Sequence, residues 1–252
     1  MTETVLITGA AKRIGRAIAL ELAQAGYDVA IHYNTSKSDA AALGGEISAL
    51  GRRTALIQAD LEDEAAVEAM LPRAAAALGP ITALVNNASL FERDEALDVT
   101  RAGWDRQMMV NLRAPFVLMQ QFARSLPADR QGAVVNLIDE RVWNLTPHFV
   151  TYTLSKAGLW ALTQTMALAL APRIRVNAVG PGPVLASQHQ TEDQFRRQWS
   201  ALPLERQVMP EHVARAVRFL LEAPTVTGQM IAVDSGEHLA WAQPKQGFVA
   251  PD

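Results

Sequence analysis

An α/β fold on a doubly wound, mainly parallel sheet follows from three features of this 252-residue sequence. Short β-branched runs alternate with longer segments rich in Ala and Leu. The short runs are almost continuously apolar, as strands covered on both faces are. A glycine-rich turn separates the first run from the first helical segment. Strand, helix and strand at this spacing require right-handed crossovers, and these generate parallel pairing.

In chain order, strands are expected at 5–7, 29–31, 55–57, 84–85, 134–138 and 175–179, and a last one at 230–233. Helical composition marks 14–25, 38–50, 63–77, 102–126, 153–171 and 211–221. No repeat or Gly/Pro/Ser-rich linker divides the chain, so residues 1–252 are expected to form a single domain. One region breaks the rhythm: 181–210 is polar, with Gln188, His189, Gln190, Glu192, Asp193, Arg196 and Arg197, and has room for one helix. A long excursion outside the carboxyl ends of the strands is where open α/β proteins carry substrate walls, so 181–210 is expected to be a substrate loop. An ordinary surface insertion is the plainer alternative.

Hydrophobic residues make up 49% and charged residues 19%, enough for a packed core. The formal net charge is -3, without a run of Lys or Arg, which argues against nucleic acid or an anionic membrane as partner. There is no cysteine, which excludes disulfides, Cys-based zinc sites and a thiol nucleophile. His32, His148, His189, His212 and His238 are scattered, so no metal site is expected. No apolar stretch reaches the roughly 18 residues needed to span a bilayer. The first residues lack a basic secretion-signal region, and a cytoplasmic location is the default expectation.

The first strand runs into Thr8-Gly9-Ala10-Ala11-Lys12-Arg13-Ile14-Gly15. Glycines there permit a tight turn and close approach of a ligand, and the N–H groups of the following helix suit a pyrophosphate. A dinucleotide is therefore expected on Gly9, Lys12, Arg13, Ile14 and Gly15. The second strand ends His32-Tyr33-Asn34-Thr35-Ser36, without the acidic residue that would accept bonds from a ribose 2′-hydroxyl. Donors at these positions, with Lys12 and Arg13, suit a 2′-phosphate instead, so NADP(H) is expected rather than NAD(H). Asp60-Leu61 is placed for the adenine edge, and Asn87-Ala88-Ser89, after Asn86, for the body of the cofactor.

Tyr152 and Lys156 are four apart in a helical segment, on one face. An ammonium there is expected to lower a phenol pKa that starts near 10, which suits proton donation as hydride adds to a substrate. Asp139 closes the preceding strand and faces the same crevice. It is expected to polarise Tyr152 or pass it a proton, though a solvated turn residue would look the same. Asn111 is expected to hold a water or backbone link behind Lys156.

Together these residues resemble the short-chain dehydrogenase/reductase family. The matches are Thr8-Gly9-x-x-x-Arg13-x-Gly15, Asn86-Asn87-Ala88, Asn111, Tyr152-x-x-x-Lys156, Pro181-Gly182, Thr227-Gly228 and Val233-Asp234-Ser235-Gly236, in the family's order. The resemblance implies a Rossmann-type sheet of about seven parallel strands and a homotetramer. It implies catalysis by Tyr152, supported by Lys156 and Asn111, with Pro181 and Gly182 at the cofactor. Two departures, Asp139 for the family's serine and Ser89 for its glycine, are similar to the pteridine reductase branch. That likeness implies substrate binding by Arg13, Ser89, Phe91, Asp139 and Tyr152, with Phe91 stacked on a pterin opposite the nicotinamide. Phe91 is also of a type to be an ordinary core aromatic. The expected function is NADPH-dependent reduction of a pterin or dihydropterin. The alternatives are an NADPH-dependent ketone or aldehyde reductase, and a non-catalytic NADPH-binding sensor or scaffold.

Overall fold

A computed structural model of the chain describes residues 3–186 and 190–239. In chain order its elements are β1 (Thr4–Ile7), α1 (Arg13–Gln24), β2 (Asp28–Tyr33), α2 (Lys37–Ala49), β3 (Thr54–Gln58), α3 (Glu64–Glu68), α4 (Met70–Leu78), β4 (Ala83–Asn86), α5 (Arg101–Met108) and α6 (Ala114–Ser125). Then follow β5 (Gly132–Leu137), α7 (Val150–Leu170), β6 (Ile174–Pro181), α8 (Glu192–Ser200), α9 (Pro210–Glu222) and β7 (Met230–Val233). The expected segment 102–126 is a helix with a π turn at Met109–Arg113 joining α5 to α6. Of the polar region 181–210, Gln188 and His189 lie outside the described residues.

The seven strands form one parallel sheet in the order β3-β2-β1-β4-β5-β6-β7. Alternation along each strand divides the core in two. Val5, Ile7, Val29, Ile31, Val85 and Val135 face α1, α2 and α9. Leu6, Ala30, Leu84, Val134 and Val176 face α4, α6 and α7. With both faces covered, β1, β2, β4 and β5 are buried at every position, which is why they read as continuous apolar runs. Each fully buried Leu or Ile adds about 1.5–3 kcal/mol to this arrangement.

Winding reverses between β1 and β4: one half of the chain builds outward through β2 and β3, the other through β5, β6 and β7. Such a switch point opens a crevice beyond the carboxyl ends of the strands. The turns after β1, β4, β5, β6 and β7 all meet there. Among the described residues no helix is long and apolar enough to cross a membrane.

Candidate active site

A cavity of about 480 Å³ occupies the crevice. Its lining includes Gly9, Lys12, Arg13, Ile14, Gly15, Asn87, Ala88, Ser89, Phe91, Asp139, Tyr152, Lys156, Pro181 and Gly182, which sequence reading placed in one site. The rest of the wall from the 181–210 region is Pro183, Val184, Leu185, Gln190, Phe195 and Gln198.

The glycine turn is shaped by hydrogen bonds from three strands. Thr8 Oγ1 accepts the backbone N–H groups of Asn87 and Ala88, both at 2.9 Å. Asn87 Nδ2 donates to Thr8 O at 2.8 Å and Gly9 O at 3.1 Å. Gly9 has φ +61°, and a Cβ there would lie 3.0 Å from Ala88 Cα. A Cβ on Gly15 would lie 2.2 Å from Gly9 O. Among the described residues no side chain caps the start of α1, which leaves its first N–H groups to an anion. Arg13, at φ 52°, is held in the left-handed region at this turn. These features fit a dinucleotide pyrophosphate: a bare backbone cradle, closely approached, ending in free helix donors.

His32 stands elsewhere than expected. Its ring is 2% exposed, Nδ1 accepts Gly9 N–H at 3.0 Å, and Nε2 meets Ala59 O at 3.2 Å. This pairing requires the Nε2–H tautomer, and burial pushes the imidazole pKa down to about 4, so the ring is neutral. It props the glycine turn from below and is not a donor to a 2′-phosphate. Tyr33 is likewise in the core. Asn34 and Thr35 are exposed and Ser36 partly so, beside Lys12, whose ammonium lies 3.0 Å from Asp39 in the first turn of α2. Asp60 is exposed and Leu61 buried, both outside the cavity lining.

At the chemical centre, Tyr152 Oη donates to Asp139 Oδ2 at 2.7 Å. Asp139 Oδ1 accepts Arg141 N–H at 2.9 Å, capping the 3-10 turn Glu140–Val142. Lys156 Nζ is buried, donates to Leu137 O at 2.8 Å and lies 5.7 Å from the Tyr152 ring centre. Burial lowers its pKa to about 8, against the pull of Asp139. The Tyr152 pKa moves opposite to expectation. Burial raises it well above 10, and the Asp139 charge and hydrogen bond raise it further, so the phenol stays protonated. The Asn111 side chain accepts from Leu90 N at 2.8 Å and donates to Leu90 O at 2.9 Å and to the hydroxyl of Ser155, the residue before Lys156, at 3.1 Å. It thereby ties the loop after β4 to the helix bearing Tyr152.

Phe91 is 42% exposed on the cavity, stacked on Phe149 at 4.4 Å and edge-on to Tyr152 at 4.7 Å. Phe149 precedes α7 at φ 57°, and its N–H donates to Asp94 O at 2.9 Å. The Asp94 carboxylate accepts Thr151 N at 3.2 Å and the Thr151 hydroxyl, capping α7. Sequence reading missed Asp94, Phe149, Glu140, Arg141 and Glu237. Only Glu140 and Arg141 carried a signal: charged residues directly after an apolar strand, beside Asp139. Among the described residues no group of three or more His, Cys, Asp or Glu could hold a metal ion.

Comparison with known proteins places the chain among oxidoreductases. The family model described as enoyl-(acyl carrier protein) reductase matches residues 9–238. The chain is 35% identical over 244 residues to the 3-oxoacyl-(acyl-carrier-protein) reductase FabG of Staphylococcus aureus, covering 95% of this chain and 99% of the relative. It is 33% identical over 250 residues to the short-chain dehydrogenase/reductase FrzI of a Cladobotryum species, covering 94% and 96%. Among solved structures, FolM alternative dihydrofolate reductase 1 from Brucella canis, complexed with NADP, is 47% identical over 97% of both chains, with a TM-score of 0.93.

Proposed function

The chain belongs to the short-chain dehydrogenase/reductase family and is an NADP(H)-dependent oxidoreductase, and from that premise we propose that it reduces a pterin or dihydropterin with Tyr152 as proton donor. The observation that carries this reading is the 2.7 Å bond from Tyr152 to Asp139. A carboxylate beside a buried phenol holds the proton on the phenol. Such a reluctant acid suits a basic acceptor, and a ring nitrogen is far more basic than a ketone oxygen. Proton-transfer efficiency follows that match of donor and acceptor.

NADPH, when bound, supplies the hydride. The cradle of Gly9, Arg13, Ile14 and Gly15 would hold its pyrophosphate, Lys12 with Asn34, Thr35 and Ser36 would meet its 2′-phosphate, and Lys156, Pro181 and Gly182 would serve its nicotinamide end. Ser89 and Phe91 hold the substrate ring, with the exposed Phe91 face covering it and Phe149 backing Phe91. As a ring C=N bond is reduced at carbon, Tyr152 Oη delivers its proton to the nitrogen. Asp139 aims the hydroxyl, and Lys156 balances the tyrosinate that is left. Asn111 positions the helix that carries both residues. The likeness to the Brucella dihydrofolate reductase supports this substrate class.

A ketone or aldehyde reductase is the second reading, favoured by the 35% identity to FabG. NADPH oxidation with dihydropterins beside simple ketones separates the two. Under the pterin reading, dihydropterins turn over, Tyr152→Phe lowers the rate at least about 100-fold, and Asp139→Ser largely abolishes it. Turnover confined to ketones, retained in Asp139→Ser, would overturn it.

A further inference from the structure

Among the described residues five buried side-chain polar atoms lack a hydrogen-bond partner: Asn86 Oδ1, Thr153 Oγ1, Glu140 Oε2, Arg141 Nε and Glu237 Oε2. The last three belong to residues that line the cavity. Buried polar groups are ordinarily paired, so three orphans on one wall call for an explanation. Glu140 is only 7% exposed. Glu237 reaches the same wall from the turn after β7, its Oε2 set 2.9 Å from where a Cβ on Gly182 would stand. The Arg141 guanidinium is centred 5.8 Å from the Phe91 ring and 5.0 Å from the Phe149 ring, which hold it in place while Nε stays unpaired.

Resting on the pterin reading above, we propose that Glu140, Glu237 and Arg141 form a specificity subsite for the 2-amino-4-oxopyrimidine edge of the substrate ring. That edge carries two N–H donors beside a carbonyl acceptor, the complement of two carboxyl groups and a guanidinium N–H. A carboxyl facing adjacent N–H groups makes paired hydrogen bonds, the geometry that gives carboxylates their selectivity for forked donors. The pairing also resolves the electrostatics of the wall. Burial, Glu237 and Asp139 raise the Glu140 pKa to about 9; burial, Asp139 and Asp234 raise that of Glu237 to about 7. Glu237 is thus the member that ionises readily as donors arrive. Asp234, bonded to His238 at 2.6 Å, is already satisfied. A 2-oxo ring sets an acceptor where the amine donor belongs, and a site built for a donor rejects it.

The test compares a 7,8-dihydropterin with the corresponding 7,8-dihydrolumazine, in which oxygen replaces the 2-amino group. Wild-type protein, Glu237→Gln and Glu140→Gln are assayed for kcat and KM, with quenching of pteridine fluorescence on the NADP⁺-bound protein as a measure of binding. Melting temperatures check folding. The expected result is at least about tenfold preference for the dihydropterin in wild type, carried in KM. In Glu237→Gln the preference falls below about threefold, because an amide offers one donor and one acceptor to either edge. Equal use of both substrates by wild type, or a preference unchanged in both variants, overturns this subsite and leaves the pterin reading standing. NADPH binding without binding or reduction of any pteridine overturns both.

Discussion

The two sides of the crevice treat their polar groups in opposite ways. On the β1 side, Thr8, Asn87 and His32 spend their hydrogen-bonding capacity on the chain itself, moulding the glycine turn before any ligand arrives. On the β5–β7 side, Glu140, Arg141 and Glu237 each leave one buried polar atom unpaired. The first side is a finished mould and the second an open socket. A shape common to every dinucleotide can be fixed in advance by the backbone, whereas selecting one substrate requires side chains held ready for it.

The largest effect should come from breaking the mould. Gly15→Ala puts a Cβ 2.2 Å from Gly9 O and 2.6 Å from Asn87 Nδ2, neither of which can move without opening the turn. Loss of measurable NADPH binding by fluorescence is expected, together with destabilisation of about 3 kcal/mol or more. Normal binding would mean that the turn is adaptable.

A second effect is expected from acid. The His32 pKa is about 4 in the folded chain, below its ordinary 6.5, so its contribution is fully present above pH 6.5 and lost as pH falls towards 4. That amounts to about 3 kcal/mol. His32→Ala should destabilise the protein at pH 7, since Gly9 N–H and Ala59 O lose their partner, and should flatten the pH dependence of urea unfolding between 6.5 and 4. An unchanged slope would show that other groups carry it.

The socket should respond to pH with the opposite sign. The Glu140 pKa is raised to about 9, so its contribution is present below about pH 4.5 and declines as pH rises towards 9. Glu140→Gln should match wild type near pH 5 and exceed it increasingly as pH rises to 9, by several kcal/mol, since a rise from 4.5 to about 9 is worth roughly 1.4 kcal/mol per unit. A variant less stable at pH 9 would show that the carboxyl is paired after all.

This contrast also marks how far the sequence could be read. The strands were legible because both faces are buried, and Tyr152, Lys156 and Asp139 because two are neighbours on a helix and the third ends a strand. The glycine turn was legible as a turn, but the place of His32 under it was not: a histidine at a strand end looks alike whether its ring faces a ligand or Gly9 N–H. The direction of the Tyr152 pKa escaped for a similar reason. Spacing showed the lysine, but only the fold shows that Tyr152 is buried and that Asp139, not Lys156, touches its hydroxyl. Glu237 lay furthest from reach, since β6 must separate β5 from β7 before it can join Glu140.

The bonds from Asn87 to Thr8 and Gly9 also bear on modularity. The β1–α1–β2 unit resembles a cassette, but part of its shape is written on β4, nearly eighty positions downstream. Exchanging residues 1–36 for those of a relative that uses NAD(H), to change cofactor preference, would therefore transplant a turn without its template. The exchange succeeds only when position 87 and the residue beneath the turn travel together, so cofactor choice in this scaffold is inherited by constellation and not by segment.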